Sequence, residues 1–323
     1  MVNFSEGKIP EQKLQDGFPF PKVVYPANNL QKEEMDAVTE SIKGEEKAWI
    51  QRELHKCGAL LFRGFGIKTA ADFNAFVEAL GWEEQPYDGA APRNNVVGRV
   101  WTANEAPLDQ HIFFHHEMAL KKSFPSKLFF FCEVAPPEGG ATAIVQSNRV
   151  ARQMEDKFPD LVQQLDTKGI LTCLILRKED NLGFHLGKGW QSAFQTNDPE
   201  KVRRKVEDGG DKLQWLADGS ANIITGPLPG TRAFQGYGDR KVWFNYIPAA
   251  TYTNAASNLN KLLYGDGSPI PNSIMEESER VMNEECVDVK WEAGDVLLID
   301  NLAVMHARRP SKPPRRILVA MCK

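Results

Sequence analysis

The run Phe113-Phe114-His115-His116-Glu117 and the distant His306 are the residues of this chain best suited to do chemistry. His115 and Glu117 stand two apart, so on an extended strand both side chains leave the same face while His116 leaves the other. His306 can close a cluster of two imidazoles and one carboxylate. Such a set covers one side of a metal ion and leaves the opposite positions open, which suits non-haem Fe(II) and its oxygen chemistry. Glu117 sits among aromatic residues, and a carboxylate buried there needs a partner such as a metal.

An H-x-E triplet arises readily by chance, so the spacing alone is weak, but two other segments give it company. Pro136-Pro137-Glu138-Gly139-Gly140-Ala141-Thr142 is a turn running into a short strand, and Pro314-Arg315-Arg316-Ile317-Leu318-Val319-Ala320-Met321 opens a hydrophobic strand with two arginines. A planar guanidinium on such a strand can grip a carboxylate through two parallel hydrogen bonds, and a threonine hydroxyl adds a donor. Together they describe a seat for a dicarboxylate cosubstrate. Alternation separates the arginines: Arg316, Leu318 and Ala320 share one face, while Arg315, Ile317 and Val319 share the other. The basic run from Arg308 to Arg316 has a rival reading as a localisation or nucleic-acid patch.

At these residues the chain resembles the Fe(II)/2-oxoglutarate-dependent dioxygenases, specifically the taurine dioxygenase family and its clavaminate synthase-like branch. The resemblance extends from about residue 55 to 323, with Gly58 to Phe65 similar to the family's early strand. It implies iron on His115, Glu117 and His306. It further implies 2-oxoglutarate as cosubstrate, its far carboxylate on Thr142 and Arg316, the latter chosen over Arg315 by family position. Oxygen is the second substrate, and a small molecule is oxidised, most simply hydroxylated, with release of succinate and carbon dioxide. Glu117 at the carboxylate position is similar to clavaminate synthase, where taurine dioxygenase has aspartate, and its retention is unlike the halogenating members. In taurine dioxygenase a second arginine, four residues after the cosubstrate arginine, holds the sulfonate; here that position is Ala320, which argues against a sulfonate. An amino-acid-derived substrate with an amine or amide near the reacting carbon is expected instead. A non-catalytic jelly-roll protein that binds or senses a metal is the alternative, and a zinc hydrolase on the same three side chains a weaker one.

Short strands with helices at the edges must position these groups. Residues 31–56 read as one or two amphipathic helices stopped by Gly58. Thr69 reads as the cap of a helix bearing Phe73, Phe76, Val77 and Leu80. Strands are expected at Leu60–Phe65, Val96–Trp101, Ser126–Glu133, Ala141–Val145, Ile170–Arg177, Ile223–Thr225, Val242–Tyr246, Val287–Trp291, Asp295–Asp300 and Arg316–Cys322, with one helix from Ser147 to about Leu165. The fold class is mainly β with flanking helices around a double-stranded β-helix, or jelly roll, and the resemblance implies the same fold. The candidate residues span 115 to 316, so a boundary between them would split the cluster; residues 1–323 read as a single domain with a lid-like insertion near 180–219. Trp101, Asn104, Asn245 and Tyr246 flank the strands as pocket candidates, while His55, His111 and His185 lack partners at a ligand spacing.

A net charge of −4 offers no general field for nucleic acid. The longest apolar run, Leu128 to Cys132, is far too short for a membrane span. Five scattered cysteines without a C-x-x-C pair point to neither disulfides nor a zinc ribbon, and so to an intracellular, cytoplasmic protein. The expected partners are a small-molecule substrate and oxygen, with no nucleic acid and no membrane.

Overall fold

The computed structural model describes residues 4–27, 35–87, 93–181, 188–245 and 260–323. Its largest sheet has eight strands in the order Phe4–Gly7, Lys22–Pro26, Ala59–Phe62, Val296–Asp300, Lys127–Val134, Arg316–Cys322, Val100–Thr102 and Asn95–Val97. Neighbours are antiparallel except Lys22–Pro26 and Ala59–Phe62, which run parallel. A second sheet carries Val287–Val289, Thr142–Gln146, Val304–Arg308 and Ile112–His115 in that order; a third carries Lys212–Trp215, Ala221–Leu228, Ile170–Leu176 and Asn260–Tyr264.

The period-2 pattern of the central strands decides how these sheets stack, because alternate side chains must be buried on opposite sides. Leu60, Phe62, Phe129, Phe131, Leu298, Leu318 and Ala320 leave one face of the large sheet and pack on Ile50, Leu54, Phe73, Phe76 and Val77 of two helices, Lys47–Cys57 and Ala70–Ala79. The intervening Leu61, Leu128, Phe130, Leu297, Ile299, Ile317 and Val319 meet Ile144, Val287, Val289 and Val304 of the second sheet. That sheet's outer residues, Phe114, Ala143, Val145, Met305 and Ala307, are covered by the helices Ser147–Lys157, Pro159–Lys168 and Asn272–Glu285. Two facing sheets rolled around a shared interior, with helices outside, make the double-stranded β-helix. Each large apolar side chain buried in these layers stabilises it by roughly 1.5–3 kcal/mol.

Local chemistry sets the helix ends. Thr69 accepts from the Asp72 amide and Asp72 returns a bond to the Thr69 amide, so both orphan donors at that terminus are satisfied. Gly58 closes the Lys47–Cys57 helix at φ 78°, a conformation that a Cβ would disfavour. Several elements differ from the sequence reading. The expected helix from Ser147 breaks at Phe158, where Pro159 cannot continue the hydrogen-bond ladder and starts a second helix. Val96–Trp101 is a hairpin of two short strands, not one. His306 lies on its own strand, Val304–Arg308, and the N-terminal strands were not anticipated. Val242–Tyr246 contributes only Lys241–Val242, and Tyr246 lies outside the described residues.

Candidate metal centre

The second sheet carries His115 and His306 on neighbouring strands and in register, so their rings meet at 4.3 Å between centroids. Glu117, two residues on, brings Oε2 to 3.9 Å from His306 Nε2. One ligand atom from each of the three lies within 4.8 Å of the others. The chain around Glu117 is fixed by Asn301, which is fully buried: its Oδ1 accepts from the Glu117 amide at 2.8 Å, and its Nδ2 donates to the carbonyls of Glu117 and Pro125. Met118 then turns the backbone away at φ 56°.

Protonation suits a metal. His115 Nδ1 lies 2.7 Å from the Phe113 carbonyl, so that nitrogen donates and Nε2 keeps its lone pair. Burial pushes the pKa of His115 down and that of His306 far down, the latter helped by the neighbouring His115 and by Arg93. Both are neutral bases at ordinary pH, the form that ligates. Glu117 Oε2 accepts from Arg93 at 2.8 Å, and that guanidinium is itself buried against the Tyr87 ring at 4.4 Å. Two neutral imidazoles and a carboxylate, converging in a buried place, fit ferrous iron.

His116 faces the other way. Its Nδ1 donates to the Asn301 carbonyl at 2.6 Å and its Nε2 is 2.8 Å from Ser147 Oγ. Burial lowers its pKa to about 3, so the ring is neutral and Nε2 accepts from the serine hydroxyl.

The cluster opens on a cavity of about 890 Å³. Thr142 lines it, and its Oγ1 accepts from Trp291 Nε1 at 3.1 Å. Arg315 lines it too, donating from Nε to the Gly140 carbonyl at 3.0 Å. Gly139 and Gly140 both have positive φ, and a Cβ on Gly139 would come within 2.4 Å of the Pro310 carbonyl oxygen, so this turn demands glycine. Burial, then the neighbouring Arg308, lowers the Arg315 pKa to about 10.

Arg316 is not in this cavity. Its side chain is 52% exposed and pairs with Glu133 at 2.8 Å. Alternation along the strand is as expected, but its faces are exchanged: the side bearing Leu318 and Ala320 packs under the helices, and the side bearing Ile317 and Val319 faces the interior. Ala320 therefore does not look toward the metal cluster. The interior residue four places after Arg315 is Val319, which is also uncharged.

The remaining candidates divide. Asn104 lines the cavity, as does Arg308, whose guanidinium donates to the carbonyls of Asn104, Ala106, Pro107 and Gln110 and pins that loop. Trp101 pairs in register with Val319, and Asn245 donates to the Gly230 carbonyl; neither lines the cavity. His55 packs on Tyr237 and His111 on Phe113, whereas His185 is outside the described residues. Of the 180–219 segment, residues 182–187 are not described. The rest forms two helices and a strand, with Ala193, Phe194 and Val206 on the cavity wall. Arg93 and Arg315 are the cavity-lining arginines that sequence reasoning passed over. Arg93 carries no local signal, while Arg315 was visible as one of a pair.

Known proteins identify the family. The family described as taurine catabolism dioxygenase TauD, TfdA family matches residues 24–178 and 224–322. The chain belongs to that family. It is 46% identical to a clavaminate synthase-like protein of Arabidopsis thaliana over 98% of each chain, and 29% identical to a dapdiamide synthesis protein of Enterobacter agglomerans over 84% of each. The fold is that of PvcB from Pseudomonas aeruginosa, with TM-score 0.57 and 13% identity over 99% of this chain and 91% of that one. PvcB is an Fe, alpha-ketoglutarate dependent oxygenase from an isonitrile synthetic pathway. Its place in the family makes the present protein a dioxygenase. Among the described residues no helix is long and apolar enough to cross a membrane.

Proposed function

We propose that this dioxygenase hydroxylates a small, amino-acid-derived molecule, turning 2-oxoglutarate into succinate and carbon dioxide, with iron on His115, Glu117 and His306 and the far carboxylate of 2-oxoglutarate on Arg315 and Thr142. Arg315 carries the reading: it is a half-buried cation with no acidic partner among the described residues, in the same cavity as the three candidate ligands. An unpaired guanidinium partly withdrawn from water is unfavourable until an anion meets it. Bound iron and 2-oxoglutarate supply the oxygen chemistry.

The chain's own groups do the rest. Arg93 donates to Oε2 of Glu117, the oxygen that faces His306, and so orients the carboxylate toward the two imidazoles. Thr142 has its hydroxyl proton free because Trp291 donates to its oxygen. Arg308 holds the 104–110 loop across the cavity, and the described part of the 180–219 segment walls it against water, as a lid would. Consistent with an insertion, the family match leaves out residues 179–223. The dapdiamide relative supports a role in small-molecule synthesis.

Anaerobic addition of Fe(II) and then 2-oxoglutarate to the apoprotein tests the reading. A visible charge-transfer band saturating at one 2-oxoglutarate per iron is expected. Iron binding without that band would leave only a metal-binding jelly roll, while a band that does not depend on Arg315 would move the cosubstrate seat to another side chain.

A further inference from the structure

We propose that Arg232 seats a carboxylate of the primary substrate, whose body is apolar; this rests on the cavity being the oxygenase site. The chain is acidic overall, at −4, but its cavity wall is not: seven cationic side chains line it against Glu117 and Asp211. Six of the seven have work elsewhere. Arg93 is paired with Glu117, Arg308 serves four carbonyls, and Lys205 donates to the Phe194 carbonyl. Lys121 and Lys122 act on Asp211, and Arg315 is assigned above to 2-oxoglutarate.

Arg232 remains. Among the described residues no carboxylate reaches it; it makes a long hydrogen bond from NH2 to the Ala119 carbonyl at 3.3 Å, and its Nε is buried without an acceptor. The guanidinium lies against the rings of Phe244 at 4.8 Å and Phe124 at 5.7 Å, which fix its plane and accept no ordinary hydrogen bonds. Ala119 is two residues past Glu117, so this end of the arginine stands beside the metal-binding segment. The mount is firm: Thr231 is held through its amide and hydroxyl by Asp166 at 2.9 Å, and Arg232 itself pairs in register with Val242. A pre-positioned fork of five donors with one long acceptor matches a carboxylate. Elsewhere on the cavity wall, Leu174, Leu176, Phe194, Ile223 and Leu262 supply apolar surface. The ligand class is thus a small acid with a hydrophobic body. A site built for a charge rejects the uncharged isostere far more strongly than an apolar wall rejects a change of one methylene.

Calorimetry on protein loaded anaerobically with Mn(II) and 2-oxoglutarate tests this, using hexanoate, 4-phenylbutanoate and N-acetylleucine, each beside its amide. At least one acid should bind about 10- to 100-fold more tightly than its amide. Arg232→Met should bring the two within about threefold, and Arg232→Lys should retain part of the preference. Unfolding temperatures show that both variants are folded, and 2-oxoglutarate affinity should stay within about twofold. Acid and amide binding alike in the native protein, including no binding of either, overturns the proposal, as does a preference that survives Arg232→Met. The same titrations with Mn(II) alone separate the two readings. Failure of 2-oxoglutarate to bind would remove the oxygenase-site reading, while an Arg232-dependent acid preference there would still support the seat.

Discussion

On one face of the Lys127–Val134 strand, Phe129 and Phe131 pack among the apolar residues of two helices, with the Phe131 and Phe73 rings stacked at 5.2 Å. On the other face Phe130 stands 5.1 Å from the ring of His306, in a cavity wall that also holds arginines, an asparagine and the other two candidate metal ligands. The neighbouring Arg316–Cys322 strand divides in the same way. The outer face needs volume and close packing, which many apolar combinations satisfy. The inner face buries polar groups, and each must find a partner of the right kind at the right distance. Substitutions on the two sides should therefore fail differently: outside by loss of stability, inside by loss of binding.

The largest contrast should come from the ligands. His115→Ala, Glu117→Ala and His306→Ala should each abolish iron binding at micromolar metal, exceeding the roughly 10–100-fold that outer-shell changes cost, with the apoprotein still folded. His116→Ala, on the far face, should keep iron and lower the unfolding temperature instead, because it empties a buried site bonded to Asn301 and Ser147. Metal analysis and thermal unfolding of the four variants decide this. Loss of iron from His116→Ala with retention in His115→Ala would reverse the two faces of that strand.

Phe131→Ala gives the complementary result. The side chain is fully buried, so its removal should cost about 3–5 kcal/mol of stability. Iron and 2-oxoglutarate affinity, measured where the variant is folded, should be unchanged. A denaturant titration beside a metal titration separates the effects, and weakened 2-oxoglutarate binding would show that the faces are coupled.

The arginine pair brings the comparison to adjacent residues. Arg315→Lys should weaken 2-oxoglutarate by roughly 1.5–3 kcal/mol, since a point charge replaces a fork. Arg316→Lys should change it within about twofold, because the half-exposed pair with Glu133 contributes little. Titration of the chelate band in both variants checks the assignment, and a larger loss in Arg316→Lys would restore the reading from family position.

These two arginines also show what the sequence could disclose. His115, Glu117 and His306 were legible because metal ligation needs particular residue types and the period of a strand puts two of them on one side. The choice between Arg315 and Arg316 was not legible. Both faces of their strand are buried and apolar further along, so alternation sorts the residues into two sets without marking which set faces the interior. Arg93 was hidden more completely, because a hairpin and a further strand separate it in sequence from its partner Glu117 and nothing beside it in the chain differs from an ordinary surface arginine. The strand bearing His306 was missed because it follows its neighbour after a three-residue turn, and that turn reads as a loop. The jelly roll was legible in outline because its strands are short, alternating and separated by glycine and proline.

The smallest predicted effect concerns acid. His111 lies on Phe113 at 4.5 Å, and its Nε2 is buried without a partner among the described residues. Burial, and then the charges of Arg309 and Arg308, hold its pKa down to about 4, against 6.5 for an ordinary histidine. The folded ring stays neutral while the unfolded chain takes up a proton as pH falls through 6.5. Its contribution to stability is therefore complete above 6.5 and is lost progressively as pH falls from 6.5 toward 4. Because the ring is only partly buried, solvent screening should keep the change below about 1 kcal/mol. Thermal unfolding of the metal-free protein between pH 7.5 and 4.5 should thus show a slightly steeper loss for the native chain than for His111→Gln, whose amide does not titrate. Parallel curves would mean that His111 is as well solvated in the folded protein as in the unfolded chain. A steeper curve in the variant would mean that Asp288, which favours the charged ring, outweighs burial and the two arginines.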